Sequence, residues 1–155
     1  MKTSHRKASL MDAEELTNLS MLLYQEIQSR KDRAENRIVA TIRFYEENPN
    51  MGAVLMIENP ETVIGYAIVF RFWSDEYGGL MLGMDELFIR REFRGRFVAS
   101  QFIHALINAE KGDPCFAGME LEAHPGNMVA AGFFENAGFA RNNNQLYLHL
   151  VKHRP

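Results

Sequence analysis

Two neighbouring stretches of this chain carry side chains at spacings that do chemistry. In the first, Phe88-Ile89 gives way to Arg90-Arg91-Glu92-Phe93-Arg94-Gly95-Arg96 and then, through Phe97, to Val98-Ala99-Ser100, the start of a helical pattern. A strand that enters a glycine-bearing basic turn and leaves it as a helix makes an anion site, because orphan N–H groups and the positive end of the helix dipole converge there. Gly95 lets the main chain approach phosphate oxygens, and Arg94 and Arg96 add charge. A solvated basic turn has the same composition; what separates the two is the helix that starts directly after it. The second stretch is the acidic pair Asp85-Glu86 just upstream. A carboxylate can take a proton or hold a cation, so the pair is a candidate for acid–base work or for a contact to a positive group. Adjacent strand residues face opposite ways, so without a bulge only one of the two enters a cleft. Glu86 has the longer reach.

The elements that must position these residues follow from hydrophobic spacing. Asp12 and Glu15 mark a helix start, with Leu16, Leu19, Leu23 and Ile27 on one face, after a short first strand around Ser4 to Ser9. A second helix is expected from about Asp32, with Ile38, Val39, Ile42 and Tyr45 as its stripe and Asn48-Pro49-Asn50 as its stop. Three strands follow, over Ala53–Ile57, Thr62–Trp73 and Leu80–Arg90, separated by turns that form an antiparallel meander. The helix after the basic turn shows Val98, Phe102, Leu106 and Ala109 on one face and ends at Lys111-Gly112-Asp113-Pro114. A strand over Ala117–Ala123, a helix from about Gly126 to Ala137 closed by Gly138, and a strand carrying Leu146, Leu148 and Leu150 complete the pattern. The order is β-α-α-β-β-β-α-β-α-β.

One βα unit after the basic turn stands a second block, Asn127-Met128-Val129-Ala130-Ala131-Gly132-Phe133-Phe134-Glu135-Asn136-Ala137-Gly138-Phe139. Together, and in this order, the two blocks resemble the GNAT N-acetyltransferase superfamily. The turn looks like its Arg/Gln-x-x-Gly-x-Gly/Ala cofactor signature, and the later block like its Asn-x-x-Ala-x-x-Phe-Tyr-x-x-x-Gly-Phe helix. The resemblance covers nearly the whole chain. It implies a single domain over residues 1–155, an α/β fold with a mixed, mostly antiparallel sheet of about six to seven strands, and helices on both faces. It further implies acetyl-CoA as cosubstrate, held by Phe88 and Ile89 along the pantetheine arm, by Arg94, Gly95, Arg96, Phe97, Val98, Ala99 and Ser100 around the pyrophosphate, and by Asn127. Asn127 reads equally well as a helix N-cap. The sequence departs from the pattern twice. Phe97 stands where the signature has its middle glycine and is expected to limit the approach of phosphate, and Phe134 stands where the family commonly has a proton-donating tyrosine.

The Asp-Glu-Leu-Phe-Ile run is similar to the spermidine/spermine branch, in which an acidic pair handles cationic amines. The resemblance therefore implies direct acetyl transfer to a primary amine of a small molecule, polyamine-like or amino-acid-like, with Glu86 and Asp85 as catalytic candidates. Its rivals are a catalytically degenerate CoA-binding module and an acyltransferase acting on a protein or aminoacyl-tRNA amine. Tyr66 and Tyr77 are candidates for the acid that Phe134 cannot supply. His124 falls near the cleft but reads first as structural or exposed, as do His104 and His149. Phe70, Phe72, Trp73 and Tyr77 read first as core.

Composition fits this picture. The chain has 155 residues, 46% hydrophobic and 24% charged, with a formal net charge of −3, which argues against nucleic acid as a partner. Its lone cysteine, Cys115, offers no intramolecular disulfide and no metal set, and reads as a small buried hydrophobe. No metal is expected. The polar, basic start lacks the apolar run of a secretory signal, and the longest apolar run, from Val63 to Phe70, is too short to span a bilayer. A cytoplasmic protein is expected, without membrane partners; pairing as a homodimer rests on the resemblance alone.

Overall fold

The computed structural model describes residues 2–27, 36–123 and 127–142. The chain divides into two compact units, residues 1–122 and 123–155.

In the first unit, β1 (Ser4–Lys7) leads through a 3₁₀ turn, Leu10–Asp12, into α1 (Ala13–Glu26), and α2 covers Asn36–Glu47. Then come β2 (Gly52–Glu58), β3 (Val63–Ser74), β4 (Gly79–Ile89), a second 3₁₀ turn at Arg91–Phe93, α3 (Val98–Glu110) and β5 (Phe116–Leu121). α1 starts where the spacing predicts, directly after Asp12, but the Asp12 side chain makes no cap hydrogen bond to it. Ser9 caps the preceding 3₁₀ turn, and Asp12 is the returning acid of a capping box there, accepting from the Ser9 amide at 2.9 Å. Arg6 also donates to Asp12, and that hydrogen bond is the main cause of a carboxyl lowered to about 2.

The five strands form one sheet in the order β1-β2-β3-β4-β5. The first four are antiparallel neighbours, and β5 runs parallel to β4. This mixed sheet is smaller than the expected six to seven strands among the described residues. The strand expected over Leu146–Leu150, together with His124 and His149, lies outside them, as does the expected start of the second helix near Asp32.

Strand alternation assigns the two faces. Val54, Met56, Tyr66, Ile68 and Phe88 pack with Leu16 and Leu19 of α1 and Ile38 and Ile42 of α2 into one buried cluster. Leu16 and Leu19 are fully buried, each contributing about 1.5–3 kcal/mol by leaving water. Ile27, placed on the same stripe by spacing, caps α1 and is exposed. α3 covers the opposite face: Phe102 meets His5 edge-on at 5.4 Å, and Glu110 pairs with Arg71 of β3.

One irregularity in β4 matters most for function. Ile68 pairs with Glu86, but Val69 pairs with Met84, so Asp85 is the extra residue of a β-bulge. In a regular strand Met84 and Glu86 would share a face. The bulge breaks that rule. Glu86 joins Phe88 on the α1/α2 face, whereas Gly83 pairs with Phe70 and a Cβ on it would strike that ring.

In the second unit, α4 covers Met128–Asn136, with Asn127 Oδ1 accepting from the Ala130 amide at 3.1 Å. Gly138, at φ +94°, closes the helix as expected. Its amide bonds to Glu135 O and that of Phe139 to Phe134 O, while the Phe134 and Phe139 rings meet edge-on at 6.0 Å. This is the Schellman pattern with its apolar contact, and it gives Phe134 a role in ending the helix.

Candidate active site

The turn between β4 and α3 has the backbone of an anion cradle. Gly95 (φ +70°) and Phe97 (φ 61°) both take the left-handed conformation, and a Cβ on Gly95 would meet nothing within 4 Å. Phe97 is the N-cap of α3, and no side chain caps the helix. The first bond closing the helical ladder runs from Gln101 N to Phe97 O at 2.9 Å. The amides of Val98, Ala99 and Ser100 are therefore the orphan donors of this helix start, at the positive end of its dipole. These donors and the open surface over Gly95 fit a diphosphate.

Phe97 holds the conformation that the glycine of the resembling signature would adopt. The residue is 76% exposed, so its ring is not packed into the core of the unit. A left-handed non-glycine residue costs roughly 1–2 kcal/mol, part of which a glycine gives back in chain entropy. Phe97→Gly is therefore expected to stabilise the protein by about 0.5–1 kcal/mol, raising the melting temperature by about 2 °C. Phe97→Val, β-branched at the same backbone angles, should lower it in the same thermal melt.

The arginines behave differently from expectation. Arg94 Nε donates to Ile89 O at 2.7 Å, its Nη2 pairs with Glu26 of α1 at 2.8 Å, and its guanidinium lies over the Phe88 ring at 5.3 Å. Its contacts are with β4 and α1 rather than with the start of α3, so it ties the turn to the scaffold. Arg96 lies over Phe93 at 6.0 Å and is exposed. Arg90 pairs with Glu15, and Arg91 stands 3.9 Å from Glu26. A cleft of about 540 Å³ lies here, lined by Leu22, Gln25, Glu26, Phe88 and Arg90 to Glu92.

β4 outruns its parallel neighbour. The last β4–β5 pair is Met84 with Leu121, and Asp85 to Ile89 continue beyond it. The Phe88 carbonyl faces β3, where a Cβ on Gly65 would lie 2.2 Å from it, and the Arg90 amide bonds to Ile64 O of the same region. By alternation, Leu87 and Ile89 turn their peptide groups to the edge away from β3. Of the expected pair Phe88 and Ile89, only Ile89 thus presents its backbone there. Leu87, which the sequence reading passed over, shares that edge. Strict two-residue counting from Ile89 would have found it.

The bulge separates the acidic pair by environment. Asp85 is exposed, and its charge, after burial, helps raise the Tyr45 phenol of α2. Glu86 is 7% exposed. Its Oε1 accepts from Tyr24 of α1 and its Oε2 from Tyr66 of β3, the latter at 2.7 Å. Burial, then the neighbouring Glu86 charge, pushes the Tyr66 phenol far above the ordinary tyrosine range. Tyr66 thus belongs to the same network as Glu86, whereas Tyr77 is exposed in the β3–β4 connection. Trp73 is exposed as well, so only Phe70 and Phe72 of that aromatic group stack, at 5.9 Å. Cys115 is exposed rather than buried, and His104 is an exposed residue of α3. Among the described residues no three His, Cys, Asp or Glu side chains come together as a metal set, and no helix is long and apolar enough to cross a membrane.

A helix start that can hold an anion, at the end of a strand that outruns its parallel neighbour, fits a cofactor with a pyrophosphate. The Acetyltransferase (GNAT) family model matches residues 13–139. The chain belongs to the GNAT acetyltransferase family. No curated protein is close enough in sequence to match. Solved structures share the fold at low identity. A possible acetyltransferase from Clostridium difficile 630 is 16% identical, with a TM-score of 0.83 over 99% of this chain and 100% of that one. AAC(6')-Iy in complex with the bisubstrate analog CoA-S-monomethyl-acetylneamine is 17% identical, with a TM-score of 0.73 over 98% and 100%. A ribosomal-protein-alanine N-acetyltransferase from Brucella melitensis biovar Abortus 2308 is 16% identical, with a TM-score of 0.70 over 97% and 100%. These are diverse members, and they do not single out the spermidine/spermine branch.

Proposed function

We propose that this acetyltransferase moves an acetyl group from acetyl-CoA directly to a primary amine of a small molecule, polyamine-like or amino-acid-like, as a single domain in the cytoplasm. The observation that carries the reading is the side-chain-free start of α3, with Gly95 and Phe97 both left-handed, at the end of a strand that outruns β5. The amides of Val98, Ala99 and Ser100 hold the pyrophosphate, with charge from Arg96. The edge of Leu87 and Ile89 receives the pantetheine arm and offers N–H donors to the thioester oxygen, which gains negative charge as the amine attacks. Asn127 uses Oδ1 as the cap of α4.

Asp85, exposed at the bulge, supplies negative charge to a cationic acceptor, and Glu86 is the base. The neutral amine nitrogen forms a bond to the acetyl carbon as the carbon–sulfur bond breaks, and the proton that the new amide nitrogen sheds goes to the departing thiolate. The degenerate-module alternative rests on Phe97 in the turn and on Phe134 in place of a tyrosine acid, and turnover separates it from the reading above. Calorimetry with acetyl-CoA, followed by thiol release with and without spermidine or glycinamide, tests the proposal. Binding with amine-dependent release is the expected result; binding without release from either amine or a wider amine panel would favour the degenerate module.

A further inference from the structure

Among the described residues, the buried polar or charged side chains are Ser20 and Glu86, and one hydrogen-bonded chain joins them. Ser20 bonds to the Tyr66 phenol, Tyr66 donates to Glu86 Oε2, and Tyr24 donates to Glu86 Oε1. Burying a carboxylate is costly unless its lone pairs are met, and here each oxygen takes a phenol. Ser20, Tyr66 and Glu86 are buried; Tyr24 is the member of the chain that reaches the surface. The same turn of α1 supplies Leu22, Gln25 and Glu26 to the lining of the cleft, with Phe88, which follows Glu86 on the same face of β4; Tyr24 sits beside that lining, in contact with Glu86. The bulge that turns Glu86 to this face comes directly after the last β4–β5 pair, where β5 ends.

We infer that Tyr24 is a catalytic residue, the port through which Glu86 takes the acceptor's proton. This rests on the N-acetyltransferase reading above. With both oxygens engaged and 7% of its surface exposed, Glu86 does not meet an ammonium directly; Tyr24 does. In the step, the ammonium N–H bond breaks and its proton goes to the Tyr24 oxygen as the Tyr24 O–H proton passes to Glu86 Oε1. The products are a neutral amine, a neutral Tyr24 and a protonated Glu86, so charge and protons balance. Tyr66, backed by Ser20, holds the other carboxylate oxygen and acts as a positioning residue.

The test uses the full chain with acetyl-CoA and spermidine or glycinamide. Tyr24→Phe should lower kcat about 100-fold, the scale of general-base assistance, with the calorimetric Kd for acetyl-CoA unchanged. Glu86→Gln should do the same, and the double variant should be no slower than the worse single, because the two act as one unit. A readout independent of turnover is carbon NMR of the phenol carbons: spermidine should shift the Tyr24 resonance, assigned by its loss in Tyr24→Phe, and leave that of Tyr66 in place. A Tyr24→Phe enzyme within twofold of wild type, or single effects that multiply in the double variant, overturns the relay while the acetyltransferase reading stands. A wild-type protein that binds acetyl-CoA but acetylates no amine overturns both.

Discussion

Gly95→Asp is expected to weaken acetyl-CoA binding by roughly a hundredfold or more, while Gly95→Asn keeps most of it. The pair separates charge from shape. Both residues tolerate the left-handed backbone that Gly95 adopts at φ +70° better than other side chains do. Both are sterically accommodated, since a Cβ there meets nothing within 4 Å. They differ in a unit of negative charge. At about 5 Å from a phosphate, with an effective dielectric constant near 20, that charge costs about 3 kcal/mol, or roughly two orders of magnitude in Kd. Calorimetric titration with acetyl-CoA measures it. Equal affinities for the two variants would mean that the diphosphate does not sit at this turn.

The second large effect concerns the strand that carries the site. Gly65 of β3 faces Ile89 across the ladder, and a Cβ there would stand 2.2 Å from the Phe88 carbonyl and 3.1 Å from the Ile89 Cα. These are backbone atoms and cannot swing aside, so Gly65→Ala must push β4 off β3. A loss of about 3 kcal/mol is expected, the upper range for overpacking, equivalent to about 6–12 °C in melting temperature. Gly112→Ala, where nothing lies within 4 Å, is the control and should move the midpoint by less than about 2 °C. If Gly65→Ala melts with the control, the close β3–β4 approach is not there in solution.

The layout of the first unit was readable because its signals are local. The helices announced themselves by apolar residues at three- and four-residue spacing, and Leu16, Leu19, Ile38 and Ile42 are indeed buried. The meander strands lie within a residue or two of their expected limits, since turn residues punctuate them. The phosphate turn was likewise legible from a strand, a glycine and a helix start in succession. What the sequence hid was partnership. Arg94 reads as a phosphate ligand, because a basic residue beside a glycine says nothing of an acid sixty-eight positions away on α1; in the fold Glu26 takes it. Tyr24 falls beside the apolar stripe rather than on it, so spacing marks it as a flank residue. Its contact with Glu86 depends on how α1 crosses β4. Asp12 is the N-cap position of α1 as its spacing suggests, but the 3₁₀ turn that Ser9 caps ahead of it has no apolar period to announce it.

Asp85 has a further consequence. β4 is written in two reading frames joined at that residue, one keeping step with β5 and the other with the first part of β3 alone. A chain shorter by that one amino acid would have a continuous ladder with the same partners, Ile68 with Glu86 and Val69 with Met84, so the carboxylate would stay with its phenols. Drawing Asp85 itself into the ladder, with the length unchanged, would instead turn over every position on one side of the junction and send the carboxylate toward α3. A single-residue gap at this point thus preserves the orientation on which proton removal depends, whereas a gap-free chain with a flat strand loses it.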